Sequence, residues 1–258
     1  MMSELNCTKK QMMAVVMARQ IADGDVVIVG TGLPLVAASL AKNSTAPNIA
    51  LLFESGIFDG GPVEVPTSVS DLRICYKASC LAPQYRYFGF QSNAWKKNDI
   101  NLGFLGGAQI DPYGNLNSTS IGDYWHPKTR FTGSGGANGI ATNCSTVIMM
   151  NHQKRRFCDK VDYVTSPGWI DGPDGRAKKG LRNDRGPIAV VTEMGVIRFD
   201  EQTKRAYLAE YFPGLTAQDV QDETGFEMDL SRAVESANPS EEILDILLNK
   251  VDPQRLMV

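Results

Sequence analysis

Apolar positions near the amino terminus recur at helical spacing, then run together, then return to helical spacing. Thr8 to Gln11 reads as a capping box, and Met13, Val16, Met17 and Ile21 follow on one face of a helix predicted to end at Asp23-Gly24. "DVVIVG" is a β-branched run without alternation, which suits a strand covered on both faces. Gly30-Thr31-Gly32 makes a turn, Pro34 sits in a first helical turn where its missing N–H is harmless, and "LVAASLAK" carries that helix to Asn43. "NIALLF" is the second strand and ends on Glu54. Strand, glycine turn, helix, strand predicts two parallel strands joined by a right-handed crossover. The Gly30–Gly32 turn and Glu54 then share the carboxyl edge of the sheet, where open parallel sheets hold their ligands.

Farther along, "NLGFLGG" predicts a strand, "DPYGN" a tight turn at Pro112 and Gly114, and "STVIMMNH" another strand. "KVDYVTSP" reads as a further strand and "GWIDGPDGRAKKGLRNDRGP" as a long surface loop. From Pro187, "IAVVTEMGVIRFDEQTKRAYLAEYF" gives alternating runs separated by short turns, an antiparallel meander. Helices are expected near Thr216 to Glu223 and Pro239 to Val251. The fold class is therefore α/β: an open, mainly parallel sheet flanked by helices, with the meander in the carboxyl-terminal part. No repeat or low-complexity linker interrupts it, so residues 1–258 are expected to form a single domain.

Composition narrows the function. With 258 residues, 43% hydrophobic, 21% charged and a formal net charge of −3, the chain has no electrostatic reason to bind nucleic acid. The stretch "MMSELNCTKKQMMAVV" lacks the order of a secretory signal, and no apolar run reaches about 18 residues; a cytoplasmic location without membrane contact is expected. Cys7, Cys75, Cys80, Cys144 and Cys158 lack metal-like spacing and are expected to be buried, reduced thiols, with no metal bound. Trp125, Trp169 and Met149-Met150 are expected in the core.

The candidate chemistry lies in the glycine-flanked segments. Gly30-x-Gly32 with an acid downstream imitates a dinucleotide fingerprint, but Leu35 stands where the third glycine belongs and Pro34 interrupts the helix approach. Glu54 reads either as a solvated strand end or as a nucleophile toward an activated carbonyl. Ser55-Gly56 and Gly60-Gly61-Pro62 leave little side-chain bulk around it, which favours the second reading. "GSGGANG", Gly133 to Gly139, reads either as a hinge or as a nest of N–H donors for an oxyanion. Lys154-Arg155-Arg156 reads as a solvated face or as a site for phosphates. His126 and His152 have no triad-like spacing to a serine or cysteine, which leaves a hydrolase of that type unsupported.

Several long runs then narrow the choice. "VGTGLPLVAASLAK", "ESG" followed by "GPVEVP", "GGAQIDPYGNLNSTSIGDYWHPKTRFTGSGGANGIAT", "KRRF", "DYVTSPGWIDGP" and "TGF" resemble, in the same order, the glutaconate CoA-transferase β-subunit family of class I CoA-transferases. The resemblance covers nearly the whole chain and is weaker from Arg73 to Lys97. It implies a CoA-transferase-like fold and a ping-pong transfer of CoA between an acyl-CoA and a short dicarboxylic acid such as glutaconate. It makes Glu54, in "ESG", the catalytic residue that carries CoA as a glutamyl thioester. It further implies backbone donors to the oxyanion at Gly136 and Ala137, beside Gly135, and places Gln109 near the acyl-CoA. Gly30, Thr31, Gly32, Ser55 and Gly56 become substrate-proximal. Coenzyme A enters as the thioester substrate, with no tightly bound cofactor. An α subunit is implied as partner, in a heteromer of several αβ units. Relatives of this fold that hydrolyse or decarboxylate CoA thioesters have replaced the glutamate, so retention of Glu54 favours transfer.

Overall fold

Thr8 caps the first helix reciprocally: its hydroxyl accepts from the Gln11 amide at 3.2 Å and the Gln11 side chain accepts from the Thr8 amide at 2.9 Å. Satisfying these otherwise unpaired donors starts α1 (Lys9–Ala18), whose residues Met12 to Ala18 are all buried. The helix ends at Arg19, short of Asp23-Gly24, because Gln20 and Ile21 turn to tighter bonds with the Met17 and Ala18 carbonyls, both 3.1 Å. The computed structural model describes residues 4–62, 64–68, 71–86 and 100–258. The weaker-matching stretch from Arg73 to Lys97 falls in part outside the described residues.

The chain divides into two compact units. In the unit made of Asn6–Phe104 and Asn238–Val258, β1 (Val26–Ile28) leads through the Gly30–Gly32 turn into α2 (Leu33–Lys42) and then β2 (Ala50–Phe53). The two strands are parallel, with Val26 opposite Ala50 and Ile28 opposite Leu52. The expected crossover is present, with Pro34 in the first turn of α2 and Asn43 as its last cap. β2 stops at Phe53 and continues antiparallel as β3 (Ile57–Phe58), which pairs in turn with β4 (Cys80–Leu81). This antiparallel edge is absent from the expected topology. On the other side of β1, β5 (Leu102–Leu105) adds in parallel.

The other unit, Leu105–Ala237 with the first five residues, contains three hairpin ladders. β6 (Gln109–Ile110) and β7 (Leu116–Asn117) close around the "DPYGN" turn, where the Gly114 amide donates to the Asp111 carbonyl at 2.9 Å. β8 (Ser120–Ile121) pairs with β9 (Thr129–Arg130), and α3 (Ala137–Asn143) follows the glycine loop. β10 (Ser145–Met149) runs parallel to β11 (Pro187–Val191). β11, β12 (Gly195–Phe199) and β13 (Ala206–Tyr211) form the expected antiparallel meander. The predicted helix at Thr216 forms over Ala217–Asp222 with a Thr216–Asp219 capping box. The last predicted helix runs from Glu241 to Val251 with Ser240 as its cap, its final turns widened to π-type bonding. No helix among the described residues is long and apolar enough to cross a membrane.

Several expectations fail. "KVDYVTSP" forms no strand; only Ser166 makes an isolated bridge, to Leu116, because the Thr165 and Ser166 amides both turn to the Leu116 carbonyl, at 2.8 and 3.1 Å. Trp125 is 80% exposed, whereas Trp169 is buried and donates its ring N–H to the Pro187 carbonyl at 3.0 Å. Of the cysteines only Cys144 is buried, and Cys80 is exposed on the edge strand β4.

The expected surface loop between Gly168 and Pro187 is built on a buried cation. A short helix, α4 (Gly175–Lys178), places Arg176 with no solvent exposure. Its Nε donates to the Arg182 carbonyl, Nη1 to those of Pro167 and Gly168, and Nη2 to those of Ala141 and Thr142, at 2.6–3.3 Å. Each guanidinium N–H thus finds one acceptor. Burial lowers the Arg176 pKa to about 10, so it stays charged at neutral pH. Arg176→Met should lower unfolding stability by about 3–5 kcal/mol, because it strands buried carbonyls. A urea midpoint within error of the parent would contradict this.

Candidate active site

Glu54 occupies the first position of a three-residue turn, Glu54-Ser55-Gly56, between paired residues Phe53 and Ile57. Such turns need a left-handed residue at their end. Gly56 supplies it at φ +89°, and its amide donates to the Phe53 carbonyl at 3.0 Å. A β-carbon at Gly56 would also overlap the Ala82 carbonyl oxygen, and one at Gly60 the Ile74 carbonyl oxygen. The room that the glycines around Glu54 suggest in sequence is therefore filled by the chain's own backbone at these positions. The strand ends before Glu54, which begins the turn, half-buried, with no hydrogen-bond or ionic partner for its carboxylate among the described residues. Ser55 follows with its hydroxyl buried and unpartnered among the described residues.

The turn is held from below. Lys42, in the last turn of α2, places Nζ 2.8 Å from Asp59 Oδ1 and 2.8 Å from the Ile49 carbonyl, and Ser79 donates to the other Asp59 oxygen at 3.1 Å. Asp59 itself takes φ +54° and donates its amide to the Leu51 carbonyl at 2.7 Å. Sequence reasoning missed this clamp, because a lysine and an aspartate 17 positions apart share no local pattern. Gly30 and Glu54 do lie beyond the carboxyl ends of neighbouring parallel strands, as expected, and the Val29 amide still pairs with the Leu52 carbonyl at 3.0 Å. A β-carbon on Gly30 or Gly32 would meet nothing within 4 Å, so that turn faces open space. Thr31 lies between them, half-buried.

In the other unit, the glycine loop hangs from Ser118, whose carbonyl accepts from the Gly133 amide at 3.0 Å and whose hydroxyl donates back to the Gly133 carbonyl at 3.1 Å. Gly133 and Gly135 take φ +90° and +49° with open space beside them. The Gly136 amide has no acceptor among the described residues, while the Ala137 amide donates to the Ser134 carbonyl at 2.9 Å. Of the two expected oxyanion donors, Gly136 is the one the loop leaves open. Gln109 is buried and committed: Oε1 accepts from Asn117 Nδ2 at 2.7 Å and the Asp162 amide at 3.1 Å, and Nε2 donates to Asp162 at 3.2 Å. It borders an open pocket of about 660 Å³ in the same unit.

Residues 10–223 match the family model described as Coenzyme A transferase. The chain belongs to the coenzyme A transferase family. The β subunit of glutaconate CoA-transferase from Acidaminococcus fermentans is 55% identical over 98% of this chain and 96% of its own length. The crystal structure of glutaconate coenzyme A-transferase from the same organism superposes with a TM-score of 0.93 at 54% identity, covering 98% of both chains. The β subunit of 3-oxoadipate CoA-transferase from Pseudomonas knackmussii is 35% identical over 92% of this chain and 90% of its own. The CoA-transferase fold expected from the sequence is thereby borne out.

The histidines stay outside this chemistry. His126 is exposed. His152 is buried against Phe157, ring centroids 4.3 Å apart, with its nitrogens 3.0 Å from Thr192 Oγ1 and 2.9 Å from Thr224 Oγ1. Burial lowers its pKa from the ordinary 6.5 to about 4. In that window the unfolded imidazole binds a proton and the folded one does not, so lowering the pH from 6.5 to 4 favours unfolding. Urea titrations should show stability lost across this window, on the order of 3 kcal/mol in full. His152→Gln should flatten that dependence; an unchanged slope would refute the assignment. At the turn, Gly56→Ala combines a disfavoured φ with backbone overlap and should cost more than about 1 kcal/mol, with turnover falling as Glu54 is displaced. Parental stability and parental activity in that variant would show the turn to be tolerant.

Proposed function

We propose that this chain is the β subunit of a CoA-transferase that moves CoA between an acyl-CoA and a short dicarboxylic acid such as glutaconate, with Glu54 as the covalent carrier. The observation that carries this reading is the near full-length identity of 55% with the β subunit of a glutaconate CoA-transferase. The unpartnered Glu54 carboxylate at the carboxyl edge of the parallel strands supports its nucleophilic part.

The transfer conserves atoms and charge. A Glu54 carboxylate oxygen attacks the thioester carbonyl, and collapse of the tetrahedral intermediate releases CoA thiolate and leaves an acyl-glutamyl anhydride. The thiolate attacks the glutamyl carbonyl, expelling the donor acid and leaving a glutamyl-CoA thioester. The acceptor carboxylate attacks that thioester, and the released thiolate then takes the acyl group from the new anhydride, which restores Glu54. Neither water nor a redox partner enters, so the activation of the thioester is conserved. In this scheme Gly136 and Ala137, beside Gly135, supply amide donors to the oxyanion. Gly30 to Gly32, Ser55 and Gly56 shape the surroundings of the substrate, and Gln109 acts by holding the Asp162 segment. Both relatives are named as one of two kinds of subunit, which supports an α subunit as obligate partner, in several αβ units; the cytoplasm is the proposed location.

The test uses the chain assembled with its α subunit. Incubation with acyl-CoA without acceptor acid, then borohydride reduction, should convert Glu54 to the corresponding alcohol, seen by peptide mass. Glu54→Ala should lower turnover by about a thousandfold or more. An unmodified Glu54 together with full activity in Glu54→Ala would overturn the proposal. Free CoA or carbon dioxide accumulating without acceptor would instead show a hydrolase or decarboxylase.

A further inference from the structure

The pocket beside Gln109 concentrates positive charge that the Glu54 chemistry does not use. Lys128, Arg155 and Arg156 line its volume of about 660 Å³, and none of them forms an ion pair among the described residues. Arg155 and Arg156 lie on the helical turn Lys154–Arg156 and both donate Nε to Gln153 Oε1, at 3.1 and 3.3 Å. That shared acceptor fixes the two forks side by side. Arg156 also reaches the Gly107 carbonyl weakly, at 3.4 Å, which leaves most of the terminal N–H donors of the pair without a protein acceptor. Phe131, 37% exposed, forms part of the wall, with the hydroxyl-bearing Thr129 and Thr132 on either side of it in the chain.

Three neighbouring cations exceed what a single carboxylate neutralises, and planar guanidinium forks match phosphate oxygens in pairs. An exposed aromatic face beside them suits a nucleobase. We propose that this pocket binds the phosphate-bearing nucleotide end of the acyl-CoA, with Lys128, Arg155 and Arg156 on its phosphates. The inference rests on the reading of the chain as a CoA-transferase subunit and adds to it the recognition of the nucleotide. It also gives the Lys-Arg-Arg run a role beyond a solvated face.

The double substitution Lys128→Gln with Arg155→Gln tests it in the assembled αβ enzyme, leaving Arg156 to hold Gly107. The value of kcat/KM for acyl-CoA should fall about tenfold, while that for the matching acyl-pantetheine, which has no nucleotide, should stay at the parental value. Binding of adenosine 3′,5′-bisphosphate, measured by calorimetry, should weaken by a similar factor and become less sensitive to salt. Parental values for both acyl-CoA and the bisphosphate would overturn the proposal. An equal loss with acyl-pantetheine would overturn it in favour of a structural role, and loss of αβ assembly in favour of an acidic surface on the α subunit. If no acid accepts CoA from the parental enzyme, yet bisphosphate binding is lost in the variant, the transferase reading falls while the phosphate pocket stands.

Discussion

A single buried guanidinium organises the unit that contains the glycine loop. Arg176 donates all its N–H groups to backbone carbonyls, two of them, Ala141 and Thr142, in the last turn of α3. Those carbonyls lack helical partners and carry the negative end of the helix dipole, so a cation is the favourable cap. The same group collects Pro167, Gly168 and Arg182, and so folds a polar, glycine-rich segment inward against the helix. Burying a charge is tolerable only when every donor is satisfied. That condition fixes the segment's course as tightly as an apolar core would. Because α3 starts in the glycine loop, anchoring its far end also sets the position from which Gly136 presents its amide.

In the other unit the decisive constraint is steric. Glu54 is presented because the chain reverses within three residues, and the reversal depends on Gly56 taking a left-handed conformation against the Ala82 carbonyl. The Lys42–Asp59 pair ties the returning strand to the end of α2. Such a partly exposed pair adds little energy by itself. Its value is geometric, since it joins the two elements on either side of the acid. A short turn whose backbone is determined from both sides suits a residue that must become covalently attached without being displaced.

What was legible in the sequence was local. Capping boxes at Thr8 and Thr216, the β-branched runs and the alternating meander each carry their signal within a few residues, and each formed as expected. The antiparallel edge was not legible, because β3 and β4 have two residues each, too few to show a period. Arg176 looked like one more charge in a polar loop; its burial depends on carbonyls up to 35 positions away. Trp125 was misplaced because aromatic residues are usually buried, whereas here it stands at the exposed tip of the β8–β9 hairpin, edge-on to Tyr124 at 5.0 Å. Glu54 was locatable from strand and turn signals, but spacing left it undecided between a solvated end and a nucleophile. The long ordered resemblance supplied the chemistry.

Glycine shows why the site resisted a purely local reading. In sequence, Gly30-Thr31-Gly32, Ser55-Gly56 with Gly60-Gly61, and Gly133 to Gly136 look alike: small residues near candidate chemistry. In the structure they divide by what lies where a side chain would be. At Gly56 and Gly60 the absent side chain is replaced by the chain's own carbonyls, so these glycines serve the turn and its packing. At Gly30, Gly32, Gly133 and Gly135 nothing lies within 4 Å, so the backbone there is bare toward solvent. Only bare backbone offers its N–H groups to an incoming oxyanion without first displacing the protein. The glycines nearest Glu54 in sequence are thus the ones that build its support, and those remote from it are the ones left open to a ligand.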